Sequence, residues 1–420
     1  SFTMRFVTMV DARRGMLVVP ASAREECWER RLGFRLLPPF AIMERIPPWQ
    51  SLRKGSPLSS EAAETVAVTP GAIDESNLIG SVLRLAWPVV VQQVSFSMVQ
   101  LVDTALVGNL GENALAGVRL GGQSFWFAQA VMVEVSVGAT AIIARNVGAG
   151  NSHLASRTLQ NAVLMSFIYG VMVGLAMWFF GSWGLGALGA EQGAQHEGTT
   201  YLKASAVGMP FWAMVFAGNA SQQGAGDTTT PMLTGIVINI ANVIIAYTLI
   251  NGVGAAPRLN VLGSGAGFTG AAIIGCVLVL GVLALRRDGL HWSPRRAFSL
   301  DLVDARRVLN VGVPAGIEQA QFNVAFMLYT RIIASLGTTA LAAHGVTLAI
   351  QSLTFNVGFA LSVATSALVG QSLGAGKPDL AEKAAWLTTR YSLVFMTVMG
   401  VFMMLFGRQI TDVFVGGEKA

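Results

Sequence analysis

Nine continuous apolar runs, each roughly 20 to 30 residues long, constrain this chain more than any other feature. Their approximate limits are 79–108, 114–146, 157–182, 200–224, 231–252, 265–285, 309–335, 340–372 and 384–406. A hydrocarbon core holds no water to satisfy free amides, so only helices or closed barrels cross it. A barrel would alternate apolar and polar residues over segments of about ten. These runs do not alternate, so the expected fold is an all-α polytopic membrane protein. Only 12% of the 420 residues are charged, against about 25% in soluble domains, which excludes a soluble enzyme and a disordered chain.

The charge is unevenly placed. Residues 1–75 hold ten Lys/Arg and nine Asp/Glu, and no apolar stretch among them is long enough to cross a bilayer. They are expected to form a poorly ordered, non-membrane extension. Elsewhere basic residues fall in connectors: Arg286, Arg287, Arg295, Arg296, Arg306 and Arg307 after run six, Arg145 and Arg157 around the loop after run two, and Lys377 and Lys383 after run eight. Short loops rich in Lys and Arg stay on the cytoplasmic side. The expectation is an integral protein of the plasma (inner) membrane with its amino terminus in the cytoplasm. The net charge of +5 therefore sets topology, and no basic groove with interleaved aromatics points to nucleic acid. Cys27 and Cys276 lie far apart and imply neither a disulfide framework nor a metal site.

The chain repeats itself at one constant offset. Pro88 meets Pro314, Gln93 meets Gln319 and Thr104 meets Thr330. Ala114-Leu115-Ala116 meets Ala340-Leu341-Ala342, and Gly148-Ala149-Gly150 meets Gly374-Ala375-Gly376. About 20 of 74 pairs are identical between 82 and 155 without a gap. The period covers six runs, so both copies start from the same side of the membrane. Such parallel repeats occur in transporters, with the site in a cavity within or between the two lobes. The expected divisions are 1–75 for the extension, 76–290 for an amino lobe of six helices, and 291–420 for a carboxyl lobe of three. A second lobe of three helices is half of the first, so the chain reads as truncated at its carboxyl end, with about nine transmembrane helices.

The residues that carry this repeat resemble a known family. Arg84-Leu-Ala-Trp-Pro88, Val102-Asp103-Thr104 and Leu110-Gly-Glu-Asn-Ala-Leu-Ala116 are similar to the first helix and loop of the MATE (multidrug and toxic compound extrusion) transporters. Gly224-Ala-Gly-Asp-Thr-Thr-Thr-Pro231, Thr339-Ala-Leu-Ala-Ala-His344 and Gly370-Gln-Ser-Leu-Gly-Ala-Gly376 resemble later family segments. The Pro314-Ala-Gly-Ile-Glu-Gln319 run looks like the DinF-like prokaryotic branch. The resemblance implies two six-helix lobes and a cation-coupled antiporter that acts on small molecules. It implies no cofactor beyond a coupling ion, H+ or Na+, and no partner beyond substrate and lipid bilayer, the protein working as a monomer.

Asp103 is the leading site residue. A carboxylate inside a span costs several kcal/mol when ionised, so it is retained for a function such as proton uptake. The alternative is a side chain reaching the interface beside Gly108. The resemblance makes Asp103 the coupling aspartate and adds Asn242 and Asn219 as polar cavity positions. It also implies an aspartate four residues after Asn242, where this chain has Ala246. Glu134 is a candidate replacement, or else an interhelical hydrogen-bonding group. Three polar groups would hold a proton more readily than sodium, since hard cations want several oxygens. Gln93, Glu318 and Gln319 are cavity candidates or packing residues, and His344 is read as structural. Phe96, Phe125, Trp126, Phe211 and Trp212 offer ring faces to a substrate cation, or simply pack. Pro88 and Pro314 each bend a helix, or sit harmlessly in a first turn.

The expected activity is export of organic, cationic or amphipathic compounds in exchange for protons or sodium. An exporter or flippase of a lipid-linked or anionic metabolite is the alternative, with Arg119 and Arg331 its basic candidates. A membrane-bound enzyme or receptor is more remote. Gly265-Ala-Gly-Phe-Thr-Gly270 fits a dinucleotide pattern but lacks a preceding strand, and reads as close helix packing.

Overall fold

The computed structural model describes residues 77–415, apart from 255, 287–288, 297–298 and 335–337. The expected extension over 1–75 lies outside the described residues. Ten α-helices and one short 3₁₀ turn make up the described secondary structure, and no strand occurs among these residues. They are α1 (Leu78–Gly108), α2 (Glu112–Gly148), α3 (Ser152–Ala187), α4 (Gln192–Ala206), α5 (Met209–Gly224), α6 (Thr229–Asn251), α7 (Val261–Leu285), α8 (Leu302–Ala334), α9 (Thr338–Gly374) and α10 (Pro378–Val415).

The repeat survives in three dimensions. Both ends of α2 and the start of α3 recur, at the offset that carries Pro88 to Pro314, as the ends of α9 and the start of α10. The loops recur in backbone conformation as well, with Gly150 at φ 73° and Gly376 at φ 72°, a left-handed turn that favours glycine. Pro88 and Pro314 both lie in helix interiors, not in first turns. Each removes one amide donor from the ladder around it.

The fourth apolar run departs from its expected form. It begins at Gln192 rather than residue 200 and is broken at Val207-Gly208 into α4 and α5. Pro210 in the first turn of α5 has no amide to give. Gly208 N–H instead closes a tighter turn onto the Ser205 carbonyl at 2.9 Å.

Six described helices or helix segments are long and apolar enough to cross a membrane: α1, α3, α6, α7, the second part of α9 from Thr354, and α10 to Phe406. Length and composition thus support six of the nine expected spans. α4 and α5 are too short once separated by the break. α8 carries Asp304, Arg306, Arg307, Glu318 and Arg331 along its length. Outward-facing side chains are large and apolar, with Trp183 76% exposed and Leu285 83% exposed, as lipid contact requires.

Small residues bring the helices together. Gly265, Gly267 and Gly270 face Ala204, Ala246 and Ile245, so α7 lies close against α4 and α6. That close packing is the role of the glycine pattern in this segment. Thr269 Oγ1 adds a bond to the Ala204 carbonyl at 2.7 Å. Across the repeat, a Cβ on Gly148 would land on the Gln371 carbonyl, and one on Gly374 on the Arg145 carbonyl. The repeat relates these two contacts to one another, so α2 and α9 cross symmetrically at their carboxyl ends.

Candidate functional site

Asp103 sits on the penultimate turn of α1, and α6 presents Asn242 to it from a buried position. One orientation of the Asn242 amide satisfies its neighbours. Nδ2 then donates to Asp103 Oδ1 and Oδ2 at 3.3 and 3.2 Å, and the amide oxygen accepts from the Phe268 N–H at 3.2 Å. Tyr201 of α4 lies within electrostatic reach of the same carboxylate. Four helices therefore meet at Asp103.

Phe268 joins this polar pair to a cluster of rings. Its ring packs against Trp212 with centroids 5.6 Å apart and edge-on against Phe125 at 5.0 Å. Trp212 in turn stacks on Phe96 at 6.4 Å. Phe96, Phe125 and Trp212 are thus brought together, while the Trp126 side chain lies outside the described residues. Phe268 escaped the sequence reading because it sits inside the glycine pattern. An aromatic between two packing glycines was the available signal.

Other candidates lie elsewhere. Asn219 is on α5, its Oδ1 buried and unpartnered among the described residues. Glu134 lies over Gly316 of α8 and interacts with Tyr169 of α3. It is placed at a helix–helix contact, away from the groups that meet at Asp103. Ala246 is fully buried against Gly267, leaving no room for a second carboxylate there. Gln93 and Gln319 are half-buried and Glu318 is exposed. The side chain of His344 lies outside the described residues. Among the described residues no cluster of His, Cys, Asp and Glu could hold a metal ion.

Away from the spans, the α5–α6 turn is tied to the end of α7. Asp227 accepts from the Thr230 amide at 3.0 Å and hydroxyl at 2.6 Å, and pairs with Arg286. Burial alone would raise its pKa. The two Thr230 bonds and the Arg286 guanidinium outweigh burial and hold the carboxyl below the usual carboxylate range. The folded-state pKa is depressed, so the stabilisation is present above the ordinary Asp pKa of about 3.9 and is lost as pH falls through the folded value. Asp227→Asn should lower the melting temperature at pH 7 by an amount equivalent to about 1 kcal/mol or less, since the pair is partly exposed. Melting curves from pH 7 to 3 should show wild type and variant converging below about pH 4.

The architecture defines a class before it defines a family. Solved structures of MATE transporters superpose with TM-scores of 0.72 for an outward-facing form and 0.74 for a bent form. They cover 80% and 82% of this chain and 74% and 76% of theirs, at 21% identity. A MOP superfamily transporter from Pyrococcus furiosus superposes at 0.73, also 21% identical, over 80% of this chain and 74% of that one. The chain shares the helical fold of these membrane proteins.

The sequence profile of the MatE family matches residues 88–248 and 314–420, more than half of the chain, and the chain belongs to that family. A probable multidrug resistance protein NorM of Thermotoga maritima is 28% identical over 349 residues, 80% of this chain and 72% of its own length. The FAD transporter of Shewanella oneidensis is 25% identical over 339 residues, 80% of this chain and 74% of its own. The multidrug resistance protein PmpM of Pseudomonas aeruginosa is 26% identical over 337 residues, 79% and 70%.

Proposed function

We propose that this chain is a proton-coupled antiporter that exports organic cationic or amphipathic compounds across the plasma membrane. Residues 76–290 act as an amino lobe and 291–420 belong to a carboxyl lobe, with the amino terminus in the cytoplasm. The observation that carries the reading is the Asp103–Asn242 pair set beside the Phe96–Trp212–Phe268–Phe125 rings. An ionised carboxylate there is costly in the absence of a counter-charge, so binding of a cation or a proton relieves it. The two ligands then compete for one charge, which is the essence of exchange. The names of the NorM and PmpM relatives favour drug export.

Protons are preferred over sodium on donor chemistry. Asn242 turns its NH₂ toward Asp103, and its oxygen is taken by the Phe268 amide. Sodium would need that oxygen and others besides. The FAD transporter is a relative of different substrate chemistry. An anionic substrate would need basic groups in the cavity, and Arg119 and Arg331 are both exposed.

The test is ethidium transport by the purified chain in liposomes, driven in turn by a pH gradient and a sodium gradient. Uptake should follow the pH gradient and fall by about tenfold or more when it is collapsed. Uptake driven by sodium alone, at equal pH, would overturn proton coupling.

A further inference from the structure

Polar pairs continue beyond Asp103 along the seam between α1 and α6. On α1, Gln92, Ser95, Val99 and Asp103 are spaced i, i+3, i+7 and i+11, and share one helix face. On α6, Gly235, Asn239, Asn242 and Ala246 share another. Asn242 donates to Asp103 at 3.2 Å. Asn239 Nδ2 donates to Ser95 Oγ at 2.9 Å. Gln92 packs over Gly235, and its Oε1 accepts from Gln223 Nε2 of α5 at 3.2 Å. At about 1.5 Å per residue the series runs about 16 Å from Asp103 toward the α5–α6 turn. Asp227 and Arg286 pair there.

Interhelical bonds alone would account for each pair as helix glue. A second observation points to solvent. α5 flanks the seam through Gln223, and one turn away Asn219 Oδ1 is buried with no partner among the described residues. Buried acceptors of this kind are satisfied in proteins by ordered water. The titratable groups at the ends are Asp103, faced by Tyr201 from α4, and Asp227 with Arg286. Gln92, Ser95, Asn239 and Gln223 carry no titratable group, so a proton moving along them travels on water and hydroxyl oxygens.

We propose that the α1–α6 seam is the hydrated path by which Asp103 exchanges its proton with the side bearing the α5–α6 turn, with Ser95–Asn239 as its narrow point. The path rests on the proton-coupled reading above. The step is an O–H transfer alone: the protonated carboxyl gives its proton to a seam water, and hydronium carries it past the Ser95 hydroxyl. Asp103 is left ionised until it takes up a proton or a substrate cation.

The experiment uses the full chain in liposomes with internal pyranine as the pH probe and ethidium as the transported probe. In the double variant Ser95→Val, Asn239→Leu, ethidium exchange at equal pH needs no proton release and should stay within about twofold of wild type. Coupled ethidium transport and the pyranine signal should fall together by about tenfold. Asn239→Ser replaces the amide with a hydroxyl beside the intact Ser95 hydroxyl and should retain coupled transport. Coupled transport at the wild-type rate in the double variant would overturn the path. An equal fall in exchange and coupled transport would overturn it as well, and would leave the pairs as helix glue. A wild type with no pyranine signal overturns proton coupling itself, which distinguishes that failure from failure of the seam.

Discussion

Asp103→Asn should reduce pH-gradient-driven ethidium transport by at least about tenfold, equivalent to about 1.4 kcal/mol or more of lost coupling. The substitution is isosteric and removes only the charge that substrate cation and proton share. Asn242 can still meet a neutral amide at position 103, and the Phe268 amide still holds the other side of that contact. Folding should therefore be little changed, and melting curves of variant and wild type should nearly coincide. The decisive comparison is the dependence of ethidium efflux on external pH, steep for wild type and flat for the variant. Gradient-driven export at the wild-type rate in Asp103→Asn would refute the assignment of Asp103. Asp103→Glu should fall between the two, because it keeps the charge but lengthens the side chain toward Asn242.

The second large effect belongs to the crossing of α2 and α9. Gly148→Leu and Gly374→Leu each place side-chain atoms where the partner backbone already lies. Overpacking of this kind costs about 1–3 kcal/mol, and more where backbone must move. Each variant should melt several degrees lower in detergent, and the pair should be less than additive because both act on one helix crossing. Gly400→Leu is the control: a Cβ there meets nothing within 4 Å. Its melting temperature should change by the equivalent of about 0.5 kcal/mol or less. Equal destabilisation by Gly400→Leu and Gly148→Leu would show that helix propensity, not the crossing, governs the loss.

Much of the fold was legible because membrane helices are written in long apolar runs. The helices begin and end close to those runs, as in 79–108 against Leu78–Gly108 and 265–285 against Val261–Leu285. The break between α4 and α5 was not legible, since Val207 and Gly208 are apolar and small and merge into the run. Only Pro210 hinted at it. The long charged α8 was undersized for a related reason: its first turns are polar, and an apolar scan starts late.

The candidate site was legible one residue at a time. Asp103 stood out as a carboxylate in an apolar run and Asn242 came from the family resemblance, while their pairing required α1 and α6 to lie side by side. Glu134 was the other carboxylate singled out within an apolar run, and it is directed to α8 and α3. No spacing within α2 could reveal which neighbour that helix face would meet.

By itself the sequence determined that the chain is helical and membrane-embedded, that its first two apolar runs recur as its seventh and eighth, and that Asp103 is a costly group to keep. These follow from local quantities: run length, periodicity, self-similarity and the free energy of burying charge. Tertiary structure alone decided which groups face one another. It set Asn242 rather than Glu134 beside Asp103, put Phe268 between the carboxylate and the rings, and aligned Ser95 with Asn239. The physical reason is that partnership across a helix interface depends on rotation and crossing. Those are fixed by small residues on both helices at once, as at Gly267 against Ala246 and Gly148 against Gln371.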